Sequence, residues 1–246
     1  MVNTEETRVP ARALPLSAQG AAAAVASATP VRRRLGALER EQQIVAGATE
    51  FFARRGLDAQ MRELAAEIGI AHTLLYHYFP TKRQLIERVY AETIAGRWEE
   101  RWETLLDDPR QPVAEKLHAF YREYLPAILT PDWLRILVHS GLSDGLIPDR
   151  YFAMVRERLF PRLLREARRS AGSSSRAKPT PREEALLMAF HGGLIYHLGI
   201  WPLIYRQSYT GQGDPQLVDT FIGDRVRGFL AQMPDVMPAA RGRRAA

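Results

Sequence analysis

Apolar residues recur every three or four positions along this chain, which is the spacing of amphipathic helices. The period predicts helices at about 38–54, 61–68, 71–78, 80–106, 112–129, 131–142, 149–171, 181–200 and 214–233. Glycine, proline and the polar run 172–180 separate these stretches, and no stretch alternates between apolar and polar residues as a half-buried strand would. The pattern therefore predicts an all-α fold of about nine helices, with a small N-terminal head and a larger body.

The stretch 61–82 predicts two short helices joined by a turn at Gly69. On the second helix Leu75 and Phe79 lie one turn apart and form an apolar back. The front of that helix carries hydrogen-bonding and aromatic side chains: His72, Thr73, Tyr76 and His77. A helix whose back packs on a core and whose polar front is free can enter the major groove of DNA.

The run 75–82, Leu-Tyr-His-Tyr-Phe-Pro-Thr-Lys, resembles the best-known signature of the TetR family of bacterial transcription regulators. The resemblance covers about 40–90 and is also carried by Ile44, Ala48, Phe51, Phe52, Gly56, Leu64, Ala65, Gly69 and Ile70. It implies a three-helix helix-turn-helix DNA-binding domain over 37–84. A helical effector-binding and dimerisation domain would then follow over 85–234.

The resemblance also implies which side chains contact DNA. Base edges would be read by the front of the second short helix and by one upstream guanidinium: His72, Thr73, Tyr76, His77 and Arg62. Tyr78 and Lys82 match positions that the family uses on phosphates, and Lys82 also lies beside a helix N-terminus, which attracts anions. The alternative is that the tyrosines complete the head's core, as we expect for Leu75 and Phe79.

The head departs from the family pattern at four positions. Gln60 and Ala71 stand where a threonine and a serine usually cap the two short helices, and each missing cap costs about 1 kcal/mol. Leu74 replaces a usual threonine, and His72 replaces a residue that is often lysine. These changes leave open a second hypothesis, a helical ligand- or partner-binding protein whose head has lost its affinity for DNA.

Two further expectations concern the body. The helices at about 181–200 and 214–233 are apolar on more than one side, and by resemblance they would pair with their copies in a homodimer that binds a palindromic operator in double-stranded DNA. The alternative is burial within one chain. By resemblance, a small and largely apolar effector would bind among the middle helices, with six candidate contacts: Tyr124, Trp133, Leu137, His139, Met188 and His191. Each of these side chains could equally be ordinary core.

Composition narrows the classes of function. A net charge of +6 and a pI of about 9.8 favour polyanionic partners, although the arginines are scattered. The chain contains no cysteine, its histidines show no metal-ligand spacing, and no nucleophile elbow or phosphate-binding glycine loop is present, so we predict no metal, no cofactor and no enzyme. We predict no membrane span and a bacterial cytoplasmic location.

Both ends of the chain are low in large apolar residues, which predicts a disordered N-terminal arm over 1–36 and a disordered tail over 235–246. Arg32, Arg33 and Arg34 make the arm basic. The arm could contact phosphates or a minor groove, or it could be a solvated charge cluster. Association of the Arg-rich ends with an anionic membrane is a further alternative.

Overall fold

Helices make up the regular structure of the described residues, which are 36–206 and 214–237 of a computed structural model. The described part of the chain contains no strand, so the predicted all-α class is confirmed. The expectations for the N-terminal arm at 1–35 and for the tail beyond 237 lie outside the described residues.

The helices follow one another in this order: α1 Ala37–Arg55, α2 Met61–Glu67, α3 His72–Tyr78, α4 Lys82–Thr93, α5 Glu100–Asp107, α6 Val113–Ile128, α7 Pro131–Gly141, α8 Leu146–Met154, α9 Phe160–Ser170, α10 Pro181–Ile195, α11 Trp201–Tyr205 and α12 Pro215–Val236. A 3₁₀ turn, Ala95–Arg97, lies between α4 and α5. Two π-helical turns, Val155–Leu159 and Tyr196–Ile200, connect α8 to α9 and α10 to α11.

The head is built on α1, whose buried face includes Ile44, Ala48 and Phe52. At Gly47 the backbone of α1 approaches Ile68 so closely that a Cβ at position 47 would lie 2.4 Å from the Ile68 Cγ2 atom. This contact seats α1 against the end of α2, and it requires a residue without a side chain.

The predicted long helix over 80–106 is wrong, because the helix is interrupted between α4 and α5. Ile94 leaves helical geometry, with φ −127° and ψ −63°. At about 100° per residue, an unbroken helix would turn Trp98 and Trp102 away from the side that buries Leu85 and Val89. The break lets all of these side chains enter the core, where Trp98 is 9% exposed and Trp102 is 1% exposed.

Two other predicted helices need correction, and each contains a π turn before a proline. The helix predicted over 149–171 begins earlier, at Leu146, and contains a π turn before Pro161. The helix predicted to stop at Ile200 contains a π turn before Pro202 and continues to Tyr205. Because proline has no N–H, it interrupts the regular bonding of the preceding turn, and a π turn absorbs that irregularity without ending the helix. The last helix likewise continues through Pro234 to Val236.

The body packs α10 against α12 and α12 against α6. The stretch 185–205 carries no charged residue, which the prediction of no membrane span did not take into account. The helix Pro181–Tyr205 is long and apolar enough to cross a membrane by length and composition alone: its most apolar window has a mean hydropathy of 1.3, and 28% of that window is buried within the chain.

Two buried ion pairs fix the C-terminal half of α9. Lys116 is fully buried, and its Nζ lies 2.6 Å from Glu166 and donates to the carbonyl oxygens of Leu106 and Asp108. Arg168 donates to both carboxylate oxygens of Glu183, at 2.7 and 2.8 Å. These hydrogen bonds from Arg168 lower the pKa of Glu183. The second pair joins α9 to the first turn of α10.

Candidate nucleic-acid interface

The α2–turn–α3 unit has an apolar back that belongs to the core. Leu64 and Leu75 are fully buried, and Phe79 is 6% exposed. Gly69 adopts a left-handed conformation with φ +69°, which places the turn, and the N–H of Ile70 then donates to the carbonyl of Ala65 at 3.0 Å. The sequence places a glycine where the turn needs one, and α3 is thereby held at a fixed angle to α2.

The front of α3 is free of the protein core. Tyr76 is 40% exposed, Thr73 and His77 are exposed, and His72 is partly buried. The rings of His72 and Tyr76 meet edge to face with centroids 4.7 Å apart. The four predicted base-reading residues of α3 therefore lie together on a seven-residue helix, away from Leu75.

The other predicted DNA contacts lie at the edges of this surface. Arg62 is exposed in the first turn of α2. Tyr78 is partly buried against the core and lies 5.6 Å, ring to ring, from His77. Lys82 is the first residue of α4, beside a helix N-terminus whose N–H groups can meet an anion.

Helix caps differ within the head. Neither Gln60 nor Ala71 makes a side-chain capping hydrogen bond at the start of α2 or α3. At α4, however, Thr81 accepts from the N–H of Gln84 at 3.2 Å, and the Gln84 side chain accepts from the N–H of Thr81 at 3.3 Å. This capping box was readable in the sequence as Thr-x-x-Gln and was missed there.

The body contacts the head and the helix that follows it at points that the sequence pattern did not indicate. Arg150 of α8 pairs with Glu87 of α4, the helix that leads from the head into the body, at 2.8 Å. The end of α1 meets α7, where a Cβ on Gly56 would lie 3.3 Å from Nδ1 of His139. His139, predicted as an effector contact, thus lies against the head.

Three of the other predicted effector contacts are enclosed in the core. Tyr124 is fully buried, Trp133 is 1% exposed and His191 is 2% exposed. The rings of Tyr124 and His191 are 6.0 Å apart, and Trp133 reaches them through Tyr151, whose ring is 5.8 Å from its own. Leu137 is partly buried on α7. Met188, by contrast, is 36% exposed on α10.

A buried hydrogen-bonded group, which we name the tyrosine–histidine cluster, consists of Tyr121, Tyr124, Tyr151 and His191. Tyr121 Oη lies 3.1 Å from His191 Nδ1, and Tyr151 Oη lies 3.3 Å from Nε2 of the same ring. Tyr124 Oη and Tyr151 Oη are 2.9 Å apart. Burial lowers the pKa of His191 to about 4 and raises the pKa of Tyr121 and Tyr124 well above the usual value. The cluster is therefore uncharged at neutral pH.

Comparison with known proteins places the head in a family. The family described as bacterial regulatory proteins, tetR family, matches residues 44–89, which contain the whole α2–turn–α3 unit. Residues 44–89 of this chain form a TetR-family helix-turn-helix head. The rest of the chain lies outside that match.

Two curated relatives are similar to this chain over a short stretch. They are the uncharacterized HTH-type transcriptional regulators MT0489 and Rv0472c of Mycobacterium tuberculosis, from strains CDC 1551 / Oshkosh and H37Rv. Each is 42% identical over 52 residues, which is 21% of this chain and 22% of the relative. This chain therefore matches about a fifth of the length of each relative.

The fold of this chain is similar, over most of its length, to that of a TetR-family transcriptional regulator from Streptomyces coelicolor. The two structures superpose with a TM-score of 0.50 at 19% identity, over 83% of this chain and 92% of the other. The likeness extends the TetR-like arrangement, a helix-turn-helix head followed by a helical body, beyond the matched head.

Proposed function

We propose that the protein is a transcription repressor, acting in the bacterial cytoplasm, that binds a palindromic operator as a homodimer and is released by a small, largely apolar effector. The observation that carries the proposal is the front of α3, where Thr73, Tyr76 and His77 are exposed above a back of buried Leu75. In this view the head, 37–84, reads DNA, and the body, 85–234, dimerises and binds the effector.

The head offers side chains for both kinds of DNA contact. Arg62 can form a bidentate pair with the O6 and N7 acceptors of guanine, which is worth about 1–3 kcal/mol of discrimination. His72, Thr73, Tyr76 and His77 meet base edges, and phosphates are met by Tyr78 and by Lys82 at the N-terminus of α4. Such phosphate contacts make the affinity fall as salt rises.

The pair α10 and α12 supports the dimer, because it leaves apolar and small residues open. Leu217 is 52% exposed and Tyr196 is 38% exposed. A Cβ on Gly192, Gly193 or Gly228 would meet no other atom within 4 Å, so another backbone has room to approach there. A copy of the same two helices would cover this surface and would explain why so apolar a helix is so little buried in one chain.

One observation favours the second hypothesis, a head without DNA affinity. The starts of α2 and α3 both lack a side-chain cap, so the DNA-facing helices begin without the hydrogen bonds that usually fix them. A protein of this kind would bind a ligand or a partner through its helical body and would show no salt-dependent binding to DNA.

The dimer is tested with Ala189→Arg, which places a long cation on the exposed side of α10. Light scattering after gel filtration should give twice the chain mass for the wild type and the single mass for the variant. The variant should bind the palindrome no better than a half-site, since only two linked heads reach successive grooves about 34–36 Å apart. The matched control is Ala114→Arg, the same change at an exposed position of α6, which should stay dimeric. A wild-type monomer that binds a half-site and a palindrome equally would contradict the proposal.

A further inference from the structure

A groove of about 780 Å³ runs between α9, the loop after it and the start of α10. Its floor is apolar and includes Phe160, Leu164 and Leu187, with Met188 at one side. The volume is that of a small-molecule site, and an apolar floor gives a ligand body a surface on which to leave water. Of the six predicted effector contacts, Met188 is the one that lines this groove.

The rim of the groove is cationic. Arg156, Arg176 and Lys178 line it, and none of them forms an ion pair with another described residue. The carboxylate among the lining residues is that of Glu184, so unpaired positive charge exceeds negative charge around the groove. Arg165 and Arg168 also line it, but their charges are paired, with Asp107 and Glu183 respectively.

The rim is held in place by the buried arginine. Arg168 donates through Nη1 to the carbonyl oxygens of Ser175 at 3.2 Å and Ala177 at 2.8 Å. Because Arg168 is also paired with Glu183, these bonds tie the loop to α9 and α10 together. The loop over 175–179 is thereby fixed beside the floor, with Arg176 and Lys178 on either side of the anchored Ala177.

We infer that this groove binds an anionic amphiphile, with its apolar body on the Phe160–Leu187 floor and its anionic head on Arg156, Arg176 and Lys178. A purely apolar ligand would gain nothing from the three unpaired cations, and a small inorganic anion would leave the floor in water. The inference deepens the proposed function by naming the class of effector, and it rests on that function for the link to DNA.

The floor of the groove leads to the tyrosine–histidine cluster. Leu187 and Met188 lie four and three residues before His191 and therefore share its side of α10. Phe160 stands between the groove and the cluster, with its ring edge-on to His191 at 5.4 Å. From His191, contacts continue to α4. Tyr151 Oη lies 3.3 Å from His191 Nε2, the rings of Tyr151 and Trp133 are 5.8 Å apart, and the rings of Trp133 and Tyr90 are 6.4 Å apart. A bound amphiphile would therefore touch Phe160, whose contacts lead through the tyrosine–histidine cluster to α4, the helix that follows the α2–turn–α3 unit.

Calorimetric titration of the full chain with decanoate tests the site without DNA. Decanoate should bind saturably and at least tenfold more tightly than 1-decanol, which lacks the charge, and than butyrate, which lacks the body. Arg176→Gln with Lys178→Gln should weaken decanoate binding at least tenfold and leave 1-decanol unchanged. The matched control is Arg182→Gln, an exposed arginine on α10 that does not line the groove, and it should bind decanoate as the wild type does.

Three results would overturn the site: equal affinity for decanoate and 1-decanol, equal loss in the control and the double variant, or binding to vesicles of anionic phospholipid without binding to decanoate. The effector role is read separately, as the affinity for operator DNA with saturating decanoate present. A lower affinity supports the role, and an unchanged affinity overturns it while leaving the measured site intact. Because the titration contains no DNA, failure of the proposed DNA binding would not be mistaken for failure of the groove.

Discussion

Tyr76 in the head and Tyr124 in the body both lie on amphipathic helices, yet Tyr76 is 40% exposed and Tyr124 is fully enclosed. The difference follows from how each helix is packed. The short helix α3 is covered on one side, by the core that buries Leu75, so its front remains available to a partner. The helix α6 that carries Tyr124 is covered by α5, α9 and α12, so its aromatic side chains hold the body together.

The comparison teaches that the same residue type serves recognition or packing according to the number of neighbouring helices. In the head, the helical period alone shows that Leu75 faces the core and Tyr76 faces outward, because the two residues are neighbours on one helix. In the body, whether an aromatic residue is buried depends on which helices, distant in the sequence, pack against it. The tyrosine–histidine cluster joins Tyr121 to His191, which are 70 positions apart in the chain.

The first test of this comparison changes a packing contact in the core of the head and keeps the exposed side chains of α3 unchanged. Gly47→Ala should lower the free energy of unfolding by about 1–3 kcal/mol, because the new Cβ meets Ile68, a stiff β-branched side chain. The measurement is urea unfolding, read together with the DNA affinity of the fraction that remains folded.

The control for Gly47→Ala is the same change in an Ile68→Ala background. Without the Ile68 methyl groups, alanine at 47 should be neutral or should stabilise the helix by up to about 1 kcal/mol, because alanine has the higher helix propensity. Equal losses in the two backgrounds would show that the Gly47–Ile68 contact does not limit the packing of the head.

The body gives a pH test of its enclosed polar cluster. Burial lowers the pKa of His191 to about 4, below its ordinary value near 6.5, so the unfolded chain binds more protons between these two values. Stability should therefore be full above pH 6.5 and should fall as pH is lowered toward 4. This histidine should account for about 2 kcal/mol of the loss between pH 7 and pH 5.

The reference for this loss is His191→Gln, which keeps hydrogen-bonding groups but cannot titrate. The two proteins should be unfolded in urea at both pH values, so that the contribution of the carboxylates cancels. If the variant loses as much stability as the wild type, His191 is accessible to protons in the native state and the cluster is not closed.

The smallest expected effect lies at the start of α3. Ala71→Ser should raise the free energy of unfolding by about 0.5–1 kcal/mol, because it supplies the cap that α3 lacks. Thr81→Ala is the opposite change, since it removes the capping box of α4, and it should cost a similar amount. Thermal unfolding measures both, and a destabilising Ala71→Ser would show that the start of α3 cannot take a capped geometry.

Much of the helical pattern was predictable, and the exceptions have local causes. The predicted bounds of α1, α2, α3, α6 and α7 agree with the structure within one or two residues, because each combines a clear period with a glycine or proline stop. The break after Thr93 contains a glycine, Gly96, but one glycine does not by itself end a helix, and the break also lets Trp98 and Trp102 be buried together with Leu85. Pro202 predicts the end of a helix, but the helix continues past it after a π turn.

For the candidate sites, the sequence placed the front of α3 but could not assemble the groove. The front of α3 can be predicted from the period of a single helix. The groove forms because the pair of Arg168 with Glu183 holds the loop over 175–179 beside α9 and α10, and no spacing in the sequence indicates that pair.

The most direct test of the account is the affinity of the full chain for DNA from its own upstream region, by fluorescence anisotropy at two salt concentrations, with Tyr76→Ala beside the wild type. The account predicts tight binding that weakens as salt rises and that the variant loses by at least tenfold, because Tyr76 is exposed on α3 and takes no part in the core. Equal binding by the variant and the wild type, or no binding by the wild type at low salt to any palindrome in that region, would contradict it.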